Sequence, residues 1–127
     1  MHYCIYVFTK EEPTEEEIEK IMEPYAEPEA PNFAPISWDW YSIGGRFWKR
    51  LTTKSGFKCD GAPVMDVINN IDLVGGCYAF ITPGGVIVPS ELWIWDRIVI
   101  NPDFDEQFQK VIKENSDGYI TVLDIHS

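Results

Sequence analysis

A run of apolar, β-forming side chains at the start of the chain constrains the fold most strongly. Residues 2–8 read His-Tyr-Cys-Ile-Tyr-Val-Phe and are apolar at nearly every position. Strands with one wet face alternate apolar and polar residues, whereas strands covered on both faces are apolar throughout. We therefore predict that His2 to Phe8 form a central strand of a sheet.

Two helical patterns lie between the predicted strands. Thr14 and Glu17 have the spacing of a capping box, and apolar residues follow them at helical spacing as far as Tyr25. Residues 101–103 provide an N-cap, a proline and an acid ahead of a second helical pattern over residues 104–112. Both patterns predict amphipathic helices.

The remaining segments complete the predicted order of elements. They are strands at Trp38–Ile43 and Arg46–Thr52, a short helix at Pro63–Ile71, a hairpin around Pro83-Gly84-Gly85, and strands at Leu92–Ile100 and Tyr119–Ile125. A proline-rich connection occupies residues 24–35. This order predicts one α+β domain over residues 1–127, with a mostly antiparallel sheet and two long helices on one face, as a ferredoxin-like variant.

Composition narrows the classes of protein that the chain can belong to. The 127 residues are 45% hydrophobic and carry a net charge of −11, which predicts a folded, acidic domain and disfavours nonspecific binding to nucleic acid or anionic membranes. No apolar run is long enough for a membrane span, and a cytoplasmic location is expected. Three scattered cysteines predict thiols rather than disulfides, with Cys4 and Cys77 buried and inert.

Charge is distributed unevenly along the chain. Residues 36–63 carry two acids and five bases, while the segments on either side are strongly acidic. The five bases, which we call the basic segment, are Arg46, Lys49, Arg50, Lys54 and Lys58. They surround the densest aromatic cluster in the sequence. They either solvate a strand pair or supply charge to a binding site.

The aromatic cluster contains the candidate binding residues. In a strand, Trp38 and Trp40 would share one face, with Asp39 and Tyr41 on the other. Two glycines followed by an arginine let a ligand approach the backbone and contact a guanidinium. The candidate set is Trp38, Trp40, Tyr41, Gly44, Gly45, Arg46 and Trp48. The alternative is structural, with tryptophans in the core, a glycine bulge and an ion pair between Arg46 and Asp39.

The segment Trp38-Asp39-Trp40-Tyr41-Ser42-Ile43-Gly44-Gly45-Arg46-Phe47 resembles the signature of an uncharacterised family of small proteins encoded by phages and mobile elements, W-D-W-Y-x-I-G-G-R-[WF]. Further similarity lies in an N-x-I-D segment ending at Asp72, in the T-P-x-G motif at Thr82–Gly85, and in the closing V-x-D-x-H motif at Val122–His126. The resemblance implies a phage-type accessory role and no particular reaction.

The closing strand holds the only pattern suggestive of catalysis. Asp124 and His126 would share a strand face, and His2 would lie nearby if the terminal strands pair. A carboxylate that orients an imidazole is half of a hydrolytic site. No serine or cysteine nucleophile and no metal-ligand spacing accompanies it, so we expect no catalytic residues, no metal and no cofactor.

The sequence therefore predicts a non-enzymatic phage-type protein that binds and inhibits a host macromolecule, for example a defence nuclease such as a CRISPR effector. An acidic surface would contact a basic partner protein through Glu15, Glu16, Glu19 and Glu23. The alternative is a protein that captures a nucleotide or signalling molecule at the aromatic and Gly-Gly-Arg cluster. A surface bearing Trp93 and Trp95 leaves homodimerisation open.

Overall fold

The computed structural model describes residues 1–27, 36–67, 77–95 and 97–127, except for the side chain of Trp93. Its strands are β1 (His2–Thr9), β2 (Trp40–Ile43), β3 (Leu51–Thr52), β4 (Lys58–Cys59), β5 (Gly61–Pro63), β6 (Cys77–Ile81), β7 (Ile87–Pro89), β8 (Glu91–Ile94), β9 (Arg97–Ile100) and β10 (Tyr119–His126). Its helices are α1 (Glu15–Met22), α2 (Val64–Val67) and α3 (Phe104–Glu114). Short 3-10 turns occupy Glu23–Tyr25 and Gly45–Phe47. The chain is an α+β protein.

The first and last strands form the middle of the sheet. β1 pairs antiparallel with β10 along its whole length, from His2 opposite His126 to Thr9 opposite Tyr119. β6 pairs with the other edge of β1 in the parallel direction, and the strand order is β2-β10-β1-β6-β7, with β5 also on β10. The predicted central strand is confirmed, and the sheet is mixed.

The helices α1 and α3 cover opposite faces of this sheet. Tyr6 and Phe8 pack with Phe108 of α3, whereas Ile5 and Val7 pack in the cluster that contains Ile18 and Met22 of α1. The prediction of both helices on one face is therefore wrong. β1 is apolar at successive positions because each face contributes to its own core, and the ferredoxin-like variant is not confirmed.

The start of α1 follows the predicted capping pattern. Thr14 Oγ1 accepts a hydrogen bond of 3.2 Å from the backbone N–H of Glu17, which satisfies one of the free donors in the first turn. Ile18 and Met22 are buried, and the acidic residues of α1 face solvent. The helix is therefore amphipathic as predicted, although its α-helical part has only eight residues.

The chain after β6 forms two hairpins. The predicted turn at residues 83–85 is confirmed, since β6 and β7 pair antiparallel around it. The prediction of one strand over Leu92–Ile100 is wrong, because β8 and β9 pair with each other and the chain reverses near Trp95. Trp95 has a φ of +58° and a side chain that is almost fully exposed. The sequence places no glycine or proline at this turn, where only Asp96 and Arg97 interrupt the apolar pattern.

Two other predicted elements differ in extent. The segment Arg46–Thr52 is a 3-10 turn followed by the two-residue strand β3, so the predicted strand is wrong over most of its length. The predicted helix at Pro63–Ile71 is α2 at Val64–Val67, and residues 68–71 lie outside the described residues. Most of the proline-rich connection and Asp72 lie outside them as well. No helix within the described ranges is long and apolar enough to cross a membrane.

Candidate functional site

A buried carboxylate organises the end of the sheet where the two termini meet. Asp124 of β10 is only 1% exposed. Its Oδ1 lies 2.8 Å from Nδ1 of His2, and its Oδ2 accepts a 3.0 Å hydrogen bond from the backbone N–H of Arg46. Antiparallel pairing of β1 and β10 brings His2 beside it. Buried polar atoms are stable when they are hydrogen-bonded, and these two contacts give a partner to each oxygen of Asp124.

The Gly-Gly-Arg turn closes over this carboxylate. Gly44 and Gly45 both have positive φ, at +75° and +52°. A Cβ atom built on Gly45 would lie 2.5 Å from Cβ and Oδ2 of Asp124, closer than nonbonded atoms approach. The two glycines therefore let the backbone turn left-handed and reach the carboxylate. This use of the glycine pair is structural and positions the backbone N–H of Arg46.

A second histidine and carboxylate lie beside the first pair. Nδ1 of His126 is 2.8 Å from Oδ1 of Asp39, and the backbone N–H of Asp39 donates to the carbonyl of His126 at 2.9 Å. The rings of His2 and His126 are 5.1 Å apart and nearly perpendicular. Each imidazole thus has Nδ1 turned to a carboxylate, which leaves Nε2 on the opposite side of the ring.

The aromatic residues of the motif divide between the two faces of the sheet. Trp40 is half exposed, and its ring lies 6.1 Å from that of His2. Trp38 instead contacts Tyr41 at 4.8 Å, and its indole N–H donates to the carbonyl of Met22 at 2.8 Å. The prediction that Trp38 and Trp40 share a face is wrong, because the chain bends at residue 39 before β2 begins.

The predicted ion pair of Arg46 is also wrong. Its side chain is exposed and forms no ion pair with any carboxylate in the described part of the chain, while Asp39 pairs with His126. Trp48 is half exposed and lies under the ammonium group of Lys49, 4.7 Å from the ring centroid. Arg46 therefore contributes two groups to this turn, an exposed guanidinium and a backbone N–H that donates to Asp124.

A cavity of about 310 Å³ has His2 in its lining. Its lining residues are His2, Tyr3, Cys4, Phe47, Cys77, Tyr78 and Ser90. Its volume falls at the lower end of the range for small-ligand pockets. Mixed aromatic and polar lining suits a planar ligand that carries hydrogen-bonding groups.

Arg50 of the basic segment lies close to this cavity. Its guanidinium is 5.5 Å from the ring centroid of Phe47. Burial raises the pKa of Cys4 to about 12 and also raises that of Cys77, and in both cases the charge of Arg50 opposes the rise. A positive charge therefore acts on the cavity wall. The two thiols are buried and protonated, as the prediction of inert cysteines requires.

The other predicted features lie on the opposite face of the sheet or contribute no further contact to the site. Glu15, Glu16, Glu19 and Glu23 are exposed on or just after α1. Within the described ranges, no group of three or more His, Cys, Asp or Glu side chains is arranged to hold a metal ion. The functional residues His2, Asp124 and His126 lie outside the candidate binding set that the sequence predicts. Their pairing depends on a strand register that no local pattern specifies.

Comparison with protein-family models, with curated proteins and with solved structures gave no match.

Proposed function

We propose that the protein binds a small anionic ligand with an aromatic ring, of the nucleotide class, at the site formed by His2, Trp40, Arg46 and Arg50. The observation that carries the proposal is the contact of buried Asp124 with both His2 and the backbone of Arg46. One carboxylate thereby fixes an imidazole and a turn that bears an exposed guanidinium. Fixed donors bind anions with little loss of conformational freedom.

The surroundings of His2 support a ring-bearing ligand. This imidazole lines the cavity, and the half-exposed indole of Trp40 lies 6.1 Å from its ring. Bases stack on exposed aromatic rings with a gain of about 1–3 kcal/mol each. The charges of Arg46 and Arg50 suit a phosphate group, because a guanidinium can form two parallel hydrogen bonds to its oxygens.

Isothermal titration calorimetry with the four ribonucleoside 5′-monophosphates and with cyclic mononucleotides tests this proposal. We expect saturable binding of at least one nucleotide, weakened about tenfold or more by Trp40→Ala and by Arg50→Gln. Trp95→Ala and Arg97→Gln are matched controls, since both residues are exposed in the β8–β9 hairpin. Absence of heat for every nucleotide, or equal weakening by the control variants, would contradict the proposal.

Inhibition of a host nuclease is a second candidate function. A cavity of about 470 Å³ lies beside α1, and its lining includes Glu16, Glu19, Glu23 and Trp38. Exposed carboxylates around an aromatic ring are complementary to a basic protein surface that otherwise binds nucleic acid. The proposed partner is therefore a basic host protein of the kind that a CRISPR effector nuclease represents.

A cleavage assay with such an effector nuclease tests the second candidate. We expect the protein to inhibit cleavage, and reversal of Glu15, Glu16, Glu19 and Glu23 to lysine to abolish the inhibition. Reversal of Asp105, Glu106 and Glu114 on exposed positions of α3 is the matched control and should leave inhibition intact. Equal inhibition by both charge-reversed variants would rule out the acidic surface of α1 as the contact.

A further inference from the structure

Two imidazoles lie close together, and each is held by its own carboxylate. This cluster is the part of the molecule best suited to acid–base chemistry. The rings of His2 and His126 are 5.1 Å apart, and each Nδ1 lies 2.8 Å from an aspartate oxygen. A carboxylate that accepts the Nδ1 proton fixes the tautomer and leaves Nε2 to exchange a proton. One such ring can bind an anion. Two such rings can act on a reacting group together, one as the base that removes a proton and the other as the acid that donates one.

From this geometry we infer that the pair catalyses transesterification of short ribonucleotide phosphodiesters. The inference rests on the proposed nucleotide site and names its substrate class. His2 lines the cavity, while His126 is more exposed, with 39% of its side chain accessible against 22% for His2. We assign the base to His2 and the acid to His126, because the leaving group must depart toward solvent.

The substrate supplies its own nucleophile in this reaction. In the described part of the chain, no serine, threonine or cysteine side chain is hydrogen-bonded to either imidazole. RNA carries a 2′-hydroxyl next to each phosphodiester, so general acid–base catalysis by two groups is sufficient for cleavage. This chemistry selects a ribose over a deoxyribose.

The bond changes balance without any further reactant. His2 Nε2 takes the proton of the 2′-hydroxyl, and the 2′-oxygen forms a bond to phosphorus. The bond between phosphorus and the 5′-oxygen breaks, and protonated His126 Nε2 donates its proton to that oxygen. The products are a 2′,3′-cyclic phosphate and a free 5′-hydroxyl. One proton has passed from one imidazole to the other, and solvent restores both.

The charge of the protein restricts the length of the substrate. A net charge of −11 repels a long polyanion, and this repulsion grows with the number of phosphates. The basic segment offsets it only near residues 46–58. Short oligonucleotides therefore suit the site better than structured RNA. Trp40 lies next to His2, where it can stack one base of the scissile step.

A tetranucleotide with one ribonucleotide among three deoxynucleotides tests the inference, with the all-deoxy tetranucleotide as the matched substrate. We expect cleavage only after the ribonucleotide, insensitive to EDTA, with a 2′,3′-cyclic phosphate identified by mass spectrometry. His126→Ala and His2→Ala should each lower kcat by about a hundredfold or more. Arg97→Ala, purified identically, should keep full activity.

Asp39→Asn separates positioning from binding. We expect a lower kcat with an unchanged KM, because Asp39 orients His126 and does not contact substrate.

Equal cleavage by the wild type and both histidine variants, or cleavage that EDTA abolishes, would overturn the inference. Binding of the all-deoxy tetranucleotide without cleavage of the ribose-containing one would overturn it while leaving the proposed nucleotide site intact. If the protein neither binds the all-deoxy tetranucleotide nor cleaves the ribose-containing one, the inference and the proposed nucleotide site are both overturned.

Discussion

Nδ1 of His2 lies 2.8 Å from Oδ1 of Asp124, although the two residues are 122 positions apart in the sequence. Antiparallel pairing of β1 and β10 brings them to the same end and the same face of the sheet. The contact therefore ties the termini together and also orients an imidazole beside a cavity.

Asp124→Ala should destabilise the protein by about 2–4 kcal/mol, as measured by urea denaturation. The change removes the acceptor for the backbone N–H of Arg46 and for His2 in a buried setting, and donors left without an acceptor are costly. Asp39→Ala is the control, because half of its side chain is accessible and it should cost under about 1 kcal/mol. Equal costs for the two variants would mean that Asp124 does not anchor the turn.

Gly45→Ala should cost more than about 2 kcal/mol in the free energy of unfolding. Both the positive φ and the contact of the new Cβ with Asp124 oppose it. Gly85→Ala is a matched control, since Gly85 has a φ of +84° with no atom within 4 Å of the added Cβ. Gly85→Ala should lower the free energy of unfolding by about 1 kcal/mol, the cost of placing an alanine at a positive φ. A Gly45→Ala protein as stable as the control variant would contradict the close approach.

The two neighbouring tryptophans should respond differently to truncation. Trp38→Ala removes a contact with Tyr41 and a hydrogen bond to Met22, so we expect the melting temperature to fall by several degrees. Trp40→Ala truncates a half-exposed ring and should shift it by much less. Differential scanning calorimetry of both variants measures the difference. A larger loss for Trp40→Ala would contradict the division between the two faces.

Stability should decline as the pH rises above about 9, the ordinary pKa of a cysteine thiol. Burial raises the pKa of Cys4 to about 12, so the unfolded chain loses this proton first and gains stability relative to the folded chain. The contribution is complete below pH 9 and lost as the pH approaches 12. Between pH 8 and pH 10.5, the free energy of unfolding should fall less in Cys4→Ala than in the wild type, as measured by urea denaturation. An identical pH dependence in both proteins would contradict the burial of this thiol.

Local sequence patterns predicted the central strand, the first helix and its cap, the 83–85 turn and the closing strand. Each of these elements is indicated by a continuous apolar run, a hydrophobic period or a turn residue within a few positions. The face on which α1 lies was not predictable in this way. The continuous apolar pattern of β1 required cover on both sides, but it did not specify which helix supplies which side.

The candidate site was predicted in part. The sequence indicates a functional or structural role for the Gly-Gly-Arg turn, but its backbone, rather than an ion pair of Arg46, makes the contact with Asp124. The histidine pair depends on the register of three strands, with His2 opposite His126 and His126 opposite Trp40. Register is set by burial along whole strands and by distant turns, so no short motif reveals it.

The proposed nucleotide site lies beside His2, Trp40 and the Gly-Gly-Arg turn. A titration of the ¹⁵N-labelled protein with ribonucleoside 5′-monophosphates, followed by two-dimensional NMR, locates the bound ligand. We expect saturable shifts of the backbone amide of Arg46 and the indole N–H of Trp40, with the amides of α1 and the Trp95 indole unshifted. Shifts confined to α1 or to the β8–β9 hairpin, or no shifts for any of the four nucleotides, would contradict it.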